Sequence, residues 1–240
     1  DALLKHRLLG GEAVLDGTVD LSGGAPLADF TCTVEGIPAR SLVRAEWKGK
    51  LEGDINMPRL NFKADLSQPG SLVVSGEFYI RSGSFGDIDP TKRLAVFLTE
   101  PDISRVKFHS IQGKITIADG RQRVEILKAE AASLLRVTGG YQIESNGELE
   151  GSIDLSISNR ILEAFPGGVP ACFTKIDDDW SSTPVELSGT TSDPTEDLTE
   201  RLQQALEKHE RDSAAPPASS YPTIPLAPGA KRSKKPSRGE

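Results

Sequence analysis

Three histidines, two cysteines and a run of three aspartates are the residues here whose types could hold a metal or move a proton. His6, His109 and His209 are scattered, and none stands at zinc-ligand spacing from Cys32 or Cys172. His109 follows Phe108 in an alternating segment and is expected to face solvent; His209 falls near the end of a helix-like stretch, where a cation is mildly favoured. Asp177, Asp178 and Asp179 are contiguous, whereas a calcium loop needs carboxylates at alternating positions and a bidentate acid downstream, so they read as a solvated loop. No serine sits in a nucleophile elbow, no glycine run forms a phosphate loop, and no pair of acids is singled out for glycoside hydrolysis. The expectation is a protein without catalytic residues, metal or cofactor.

Two cysteines in 240 residues do not make a disulfide framework. Cys32 is in phase with Phe30 and Val34, as a small buried hydrophobe would be. The net charge of −7 is unevenly placed: Lys231, Arg232, Lys234, Lys235 and Arg238 against Glu240 give the end of the chain about +4, leaving about −11 for the rest. So acidic a body argues against nucleic acid as a partner, because neutralising phosphates needs a basic surface. The basic end is expected to be a solvated terminus, with an anionic membrane surface as the alternative. No run is long and apolar enough to span a bilayer, and no signal peptide opens the chain, which reads as a piece of something longer.

The elements are mostly strands. From Leu135 to Ile143 apolar and polar residues alternate; Ser145-Asn146-Gly147 turns the chain, and Leu149, Gly151, Ile153, Leu155 and Ile157 alternate on the way back. This is a hairpin with one apolar and one wet face. Its pattern recurs: Leu15-x-Gly17-x-Val19, Val74-x-Gly76-x-Phe78 and Val137-x-Gly139-x-Tyr141 each place a glycine between apolar residues on one face. Such a glycine admits another backbone or a ligand, or lets the strand bend. The recurrence suggests an extending meander. Between Val124 and Ala129 neither face is cleanly polar, as expected of a strand covered on both sides.

Helix-like segments are few: Pro38 to Trp47, Pro90 to Leu98, Asn159 to Phe165, and a last amphipathic helix with Leu198, Leu202, Ala205, Leu206 and His209 along one side. Asp193-Pro194-Thr195-Glu196 reads as its cap, with Asp193 as N-cap and Pro194 opening the first turn. Residues 213–240, rich in Pro, Ser and Lys, are expected to be disordered.

The run from Arg93 to Ser158 resembles the C-terminal region of AsmA-like proteins, relatives of TamB, through Val106, Phe108, Ile111, Gly113, Ile115, Ile117 and Gly120, then Gly139, Tyr141 and Ile143, then Leu149, Gly151, Ile153 and Leu155. Pro184, Val185, Leu187, Gly189, Asp193 and Pro194 before an amphipathic helix are similar to the close of that region. The resemblance covers most of residues 11–208 and lies in the order of apolar residues and glycines. It implies a Gram-negative envelope protein, periplasmic, anchored in the inner membrane by a segment outside this chain, and taking part in phospholipid transport or outer-membrane biogenesis, with other envelope proteins as candidate partners.

The expected fold is therefore mainly β: an extended, twisted antiparallel sheet curling into a β-taco-like groove over residues 1–212, with an N-terminal sheet over about 11–85 and a core over about 90–210. Candidates to face phospholipid acyl chains are Val74, Phe78, Val137, Tyr141, Ile143, Leu149, Ile153, Leu155 and Ile157. A β-sandwich filled by its own side chains explains each strand equally well. The scarcity of large aromatics, 5% of residues, and the glycines on the apolar face favour a groove. The alternative in function is a β-rich binding or structural domain that engages protein or glycan.

Overall fold

The structure, a computed structural model, describes residues 2–43, 45–97, 99–165 and 169–214. Strands β1 (Ala2–Leu8), β2 (Gly11–Asp20), β3 (Leu27–Pro38), β4 (Leu51–Asp65), β5 (Val73–Gly86), β6 (Arg105–Ala118), β7 (Arg121–Ala131), β8 (Leu135–Ile143) and β9 (Leu149–Ser158) each pair with the next. Beyond β9 lies β11 (Trp180–Gly189), and both β10 (Thr174–Lys175) and β12 (Pro194–Glu196) pair with it. The result is one open antiparallel sheet of twelve strands, and β5 and β6 pair without a break from Val74↔Ile117 to Gly86↔Arg105.

Directly opposed residues of antiparallel strands share a face, so the register can be followed across the whole sheet. One row runs Leu15, Cys32, Leu60, Gly76, Ile115, Val124, Tyr141, Gly151, Leu187. A parallel row runs Phe62, Val74, Ile117, Gln122, Ile143, Leu149. The alternation read in single strands is thus one continuous apolar face.

The glycines of that face make room for the adjacent strand. A Cβ on Gly17 would stand 2.4 Å from the Phe30 ring, and one on Gly113 would stand 2.5 Å from the Phe78 ring. A Cβ on Gly151 would meet the backbone of Tyr141 at 2.5 Å. Each missing side chain is replaced by the residue across from it, so the strands approach closely and the sheet bends there. Irregularities of register at Cys32–Ile37, Glu52–Asp54, Asn56–Arg59 and Ile126–Ala129 add local twist. The curl closes on itself: the Trp47 Nε1–H, between β3 and β4, donates to the carbonyl of Thr191 beyond β11 at 2.8 Å. In a flat sheet these strands would lie roughly 30 Å apart at the usual spacing. Trp47 also stacks on Phe85, with ring centroids 6.1 Å apart.

Helices α1 (Asp89–Phe97), α2 (Asn159–Leu162) and α3 (Leu198–Ala214) and short 3-10 turns fill in at one end of the strands. The largest core cluster joins Ala95 of α1, Ile161 and Leu162 of α2, and Leu198 and Leu202 of α3 to Val106, Phe108, Leu135, Leu155, Ile157 and Val185 of the sheet.

Four sequence expectations change. Pro38 to Trp47 is not one helix: Pro38 ends β3, and two 3-10 turns, Ala39–Ser41 and Ala45–Trp47, follow. Pro194 to Glu196 forms β12 instead of a helical first turn, because it can pair with Leu187 to Gly189. The cap moves downstream, where Glu196 Oε2 accepts from the Thr199 N–H at 3.0 Å. The mixed polarity of Val124 to Ala129 reflects a bulge, not cover on both faces: Val124 and Ala129 are buried, and the extra residue leaves Leu127 41% exposed. The tail expected to be disordered lies outside the described residues, except for Ser213 and Ala214, which belong to α3.

Gly151→Ala is expected to cost about 1–3 kcal/mol by overpacking against immovable backbone. Gly24→Ala, whose Cβ would have nothing within 4 Å, is expected to leave stability unchanged or slightly raised in the same denaturant melt.

Candidate apolar groove

The apolar face has two unlike halves. At the helical end Leu135, Leu155, Ile157 and Val185 are no more than 6% exposed and lie under the three α-helices. Across strands β2 to β6 a second cluster of Val34, Ile37, Leu60 and Val74, packed with Ala13, Cys32, Met57, Phe62, Ile115 and Ile117, is built from strand residues alone. Ile143 and Leu149 are half-buried and belong to neither cluster.

All nine candidate residues fall on this face, but not in one environment. Tyr141, Ile143 and Leu149 fall outside the helix-covered cluster, Ile143 and Leu149 in the cross-sheet row that begins at Phe62 and Val74, while Phe78 packs over Gly113 and against the cluster of Ile55 and Ile80. Val137 and Ile153 pack at the margin of the helix-covered core. Leu155 and Ile157 are inside it, at 6% and 0% exposure, so the expectation that they face lipid is corrected: helices occupy that place. Sequence alternation shows which face a residue takes, not what lies above it.

The two rows carry no charged residue: apart from Gly76, Gly151, Cys32 and Gln122 they are aliphatic or aromatic. The Tyr141 phenol is held above its ordinary pKa by burial, with no charge acting on it. Charges keep to the other face, where Arg121 pairs with Glu144 at 3.0 Å and Lys63 with Asp29 at 3.5 Å. Such a surface supplies an apolar bed and offers no charged group to a reacting centre.

The residues that could do chemistry are not brought together. Cys32 and Cys172 are both free thiols, each pushed up in pKa chiefly by burial. His109 is exposed and its Nδ1 accepts from the Ala132 N–H at 3.4 Å. Asp177 Oδ1 accepts from the N–H groups of Asp179 and Trp180, at 2.8 Å each, and Asp178 pairs with Lys175 at 2.8 Å, so both carboxylates hold the turn into β11. Among the described residues no three His, Cys, Asp or Glu side chains converge as metal ligands, and no helix is long and apolar enough to cross a membrane.

No family model, curated protein or solved structure matches this chain. The resemblance to AsmA-like proteins rests on the order of apolar residues and glycines alone. What the sequence did not disclose is the division of the face and the Trp47 contact that closes the curl; the only hint of the latter was a tryptophan in a segment without strand alternation.

The division can be measured. Ile157→Ala is expected to cost about 2–5 kcal/mol, as truncation inside a packed core does, and Ile143→Ala less than about 1 kcal/mol in parallel urea melts, because its site has less packing to lose.

Proposed function

We propose that this chain is a non-enzymatic envelope protein that carries phospholipid acyl chains in the uncovered half of its groove, between inner and outer membranes. The observation that supports this is that Tyr141, Ile143 and Leu149 lie outside the helix-covered cluster, with Ile143 and Leu149 in the same apolar row across the sheet as Val74 and Ile117. Burial of each acyl methylene is worth about 0.8 kcal/mol, so a chain laid along such a bed is held without polar contacts. The absence of charge along the rows suits a lipid tail and disfavours a sugar or a peptide backbone, which would leave polar groups unpaired. The periplasmic setting, an inner-membrane anchor and a role in outer-membrane biogenesis come with the resemblance and belong to the same proposal.

One observation favours a second reading, a structural or binding β-domain without lipid. The strands by themselves already bury Val34, Leu60 and Val74 to 7–8% exposure, so part of the face is covered by the curl alone.

Photocrosslinking separates the two. A photoreactive residue at Tyr141, Ile143 or Leu149 is expected to capture phospholipid, while the same residue at Ile157, in the covered core, or at Thr138, on the exposed face, captures none. Equal labelling at all five positions, or none anywhere, rejects lipid carriage and leaves the binding domain.

A further inference from the structure

The uncovered end of the sheet carries two loops of one construction. Asp20-Leu21-Ser22 and Asp65-Leu66-Ser67 are each followed by four residues and a second leucine, Leu27 and Leu72. Asp20 Oδ1 accepts from the N–H and the hydroxyl of Ser22 at 2.8 and 2.6 Å, and Asp65 Oδ1 accepts from those of Ser67 at 2.9 and 2.6 Å. The loops are adjacent, because β3 pairs with β4, and the Leu66 N–H donates to the Pro26 carbonyl at 2.9 Å. All four leucines point into solvent: Leu21 is 75% exposed, Leu27 53%, Leu66 57% and Leu72 48%.

The neighbouring turns at the same end of the sheet, Asp119-Gly120 and Ser145-Asn146-Gly147, are polar. Four large exposed leucines confined to two matched tips are therefore not the general character of this rim. Isolated surface leucines need no explanation; a cluster does.

We propose that loops 20–27 and 65–72 are a membrane-docking site, in which Leu21, Leu27, Leu66 and Leu72 enter the acyl boundary of a zwitterionic phospholipid surface. Three features select that occupant. Leu21 and Leu66 stand in the turns while Leu27 opens β3 and Leu72 precedes β5, so the four form two small tips and not a flat patch of the size a stable protein interface buries. Five backbone donors of the tips are already paired: Ser22 and Ser67 to aspartate, Leu66 to Pro26, Gln68 to Asp65 and Ser71 to Gln68. A tip entering a region poor in water needs that satisfaction. Neither loop contains Lys or Arg, and both carry an aspartate whose pKa is lowered by its serine bonds, so an anionic surface would repel them. Val19 and Ala28 continue the apolar face up to these tips, so docking sets the open end of the groove against the lipid.

That last consequence rests on the groove reading; the docking does not. In flotation with phosphatidylcholine vesicles the full chain is expected to bind, and Leu21→Ser/Leu66→Ser to lose at least about tenfold in affinity, the loss expected from removing two inserted leucines. Raising salt to about 0.5 M is expected to leave binding intact, since no charge pairing is involved. Leu21→Trp/Leu66→Trp, which keeps apolar area and favours the interface, is expected to bind more tightly. Wild-type binding retained by the serine variant, no binding by the wild type, or a self-association that the serine variant abolishes would overturn the docking site. The groove is read separately, by crosslinking at Tyr141 to soluble short-chain phosphatidylcholine. Crosslinking without vesicle binding overturns only the docking, and leucine-dependent binding without crosslinking overturns only the groove.

Discussion

A sheet twelve strands wide with one apolar face must cover that face or leave it to something else. The described residues offer three α-helices for the purpose, one of them only Asn159–Leu162. They are gathered at one end, where Leu198 and Leu202 reach 1% and 0% exposure against Leu155 and Ile157. The acyl-chain site proposed for this protein follows from that unequal cover. A second full layer would have made a sandwich with nothing left to offer.

The curl is the chain's other means of hiding apolar surface. It depends on close approach between strands, which Gly17, Gly113 and Gly151 permit, and on bulges that raise the twist. Trp47 then ties the two walls together through Thr191 and rests on Phe85, itself packed against the helical core. The same glycines that looked like space for a ligand serve to shape the wall. The acyl-chain site we propose lies instead where the helix-covered cluster stops.

Much of this architecture is legible in the sequence, for a physical reason. A meander pairs each strand with its successor, so local alternation and turn chemistry, as in Ser145-Asn146-Gly147, determine topology without long-range information. Sequence and structure part where the chain departs from strict alternation: the bulge at Leu127 reads as a second buried face, and Pro194 reads as a helix start because proline suits both a first helical turn and a short edge strand. Ile157 and Ile143 lie on the same side of one hairpin and read identically. The packing of α2 and α3 makes one a core residue, while the other stays half-buried outside that cluster.

The central claim is that an acyl chain lies on the strand-only half of the face. Paramagnetic broadening of backbone amides by a spin-labelled phospholipid tests it directly. The account predicts broadening of the amides of Gly76, Ile115, Tyr141 and Gly151, which share one row across the sheet, and none at Ile157 or Leu202. Broadening confined to the charged face around Arg121 and Glu144, or spread evenly over the protein, would contradict it.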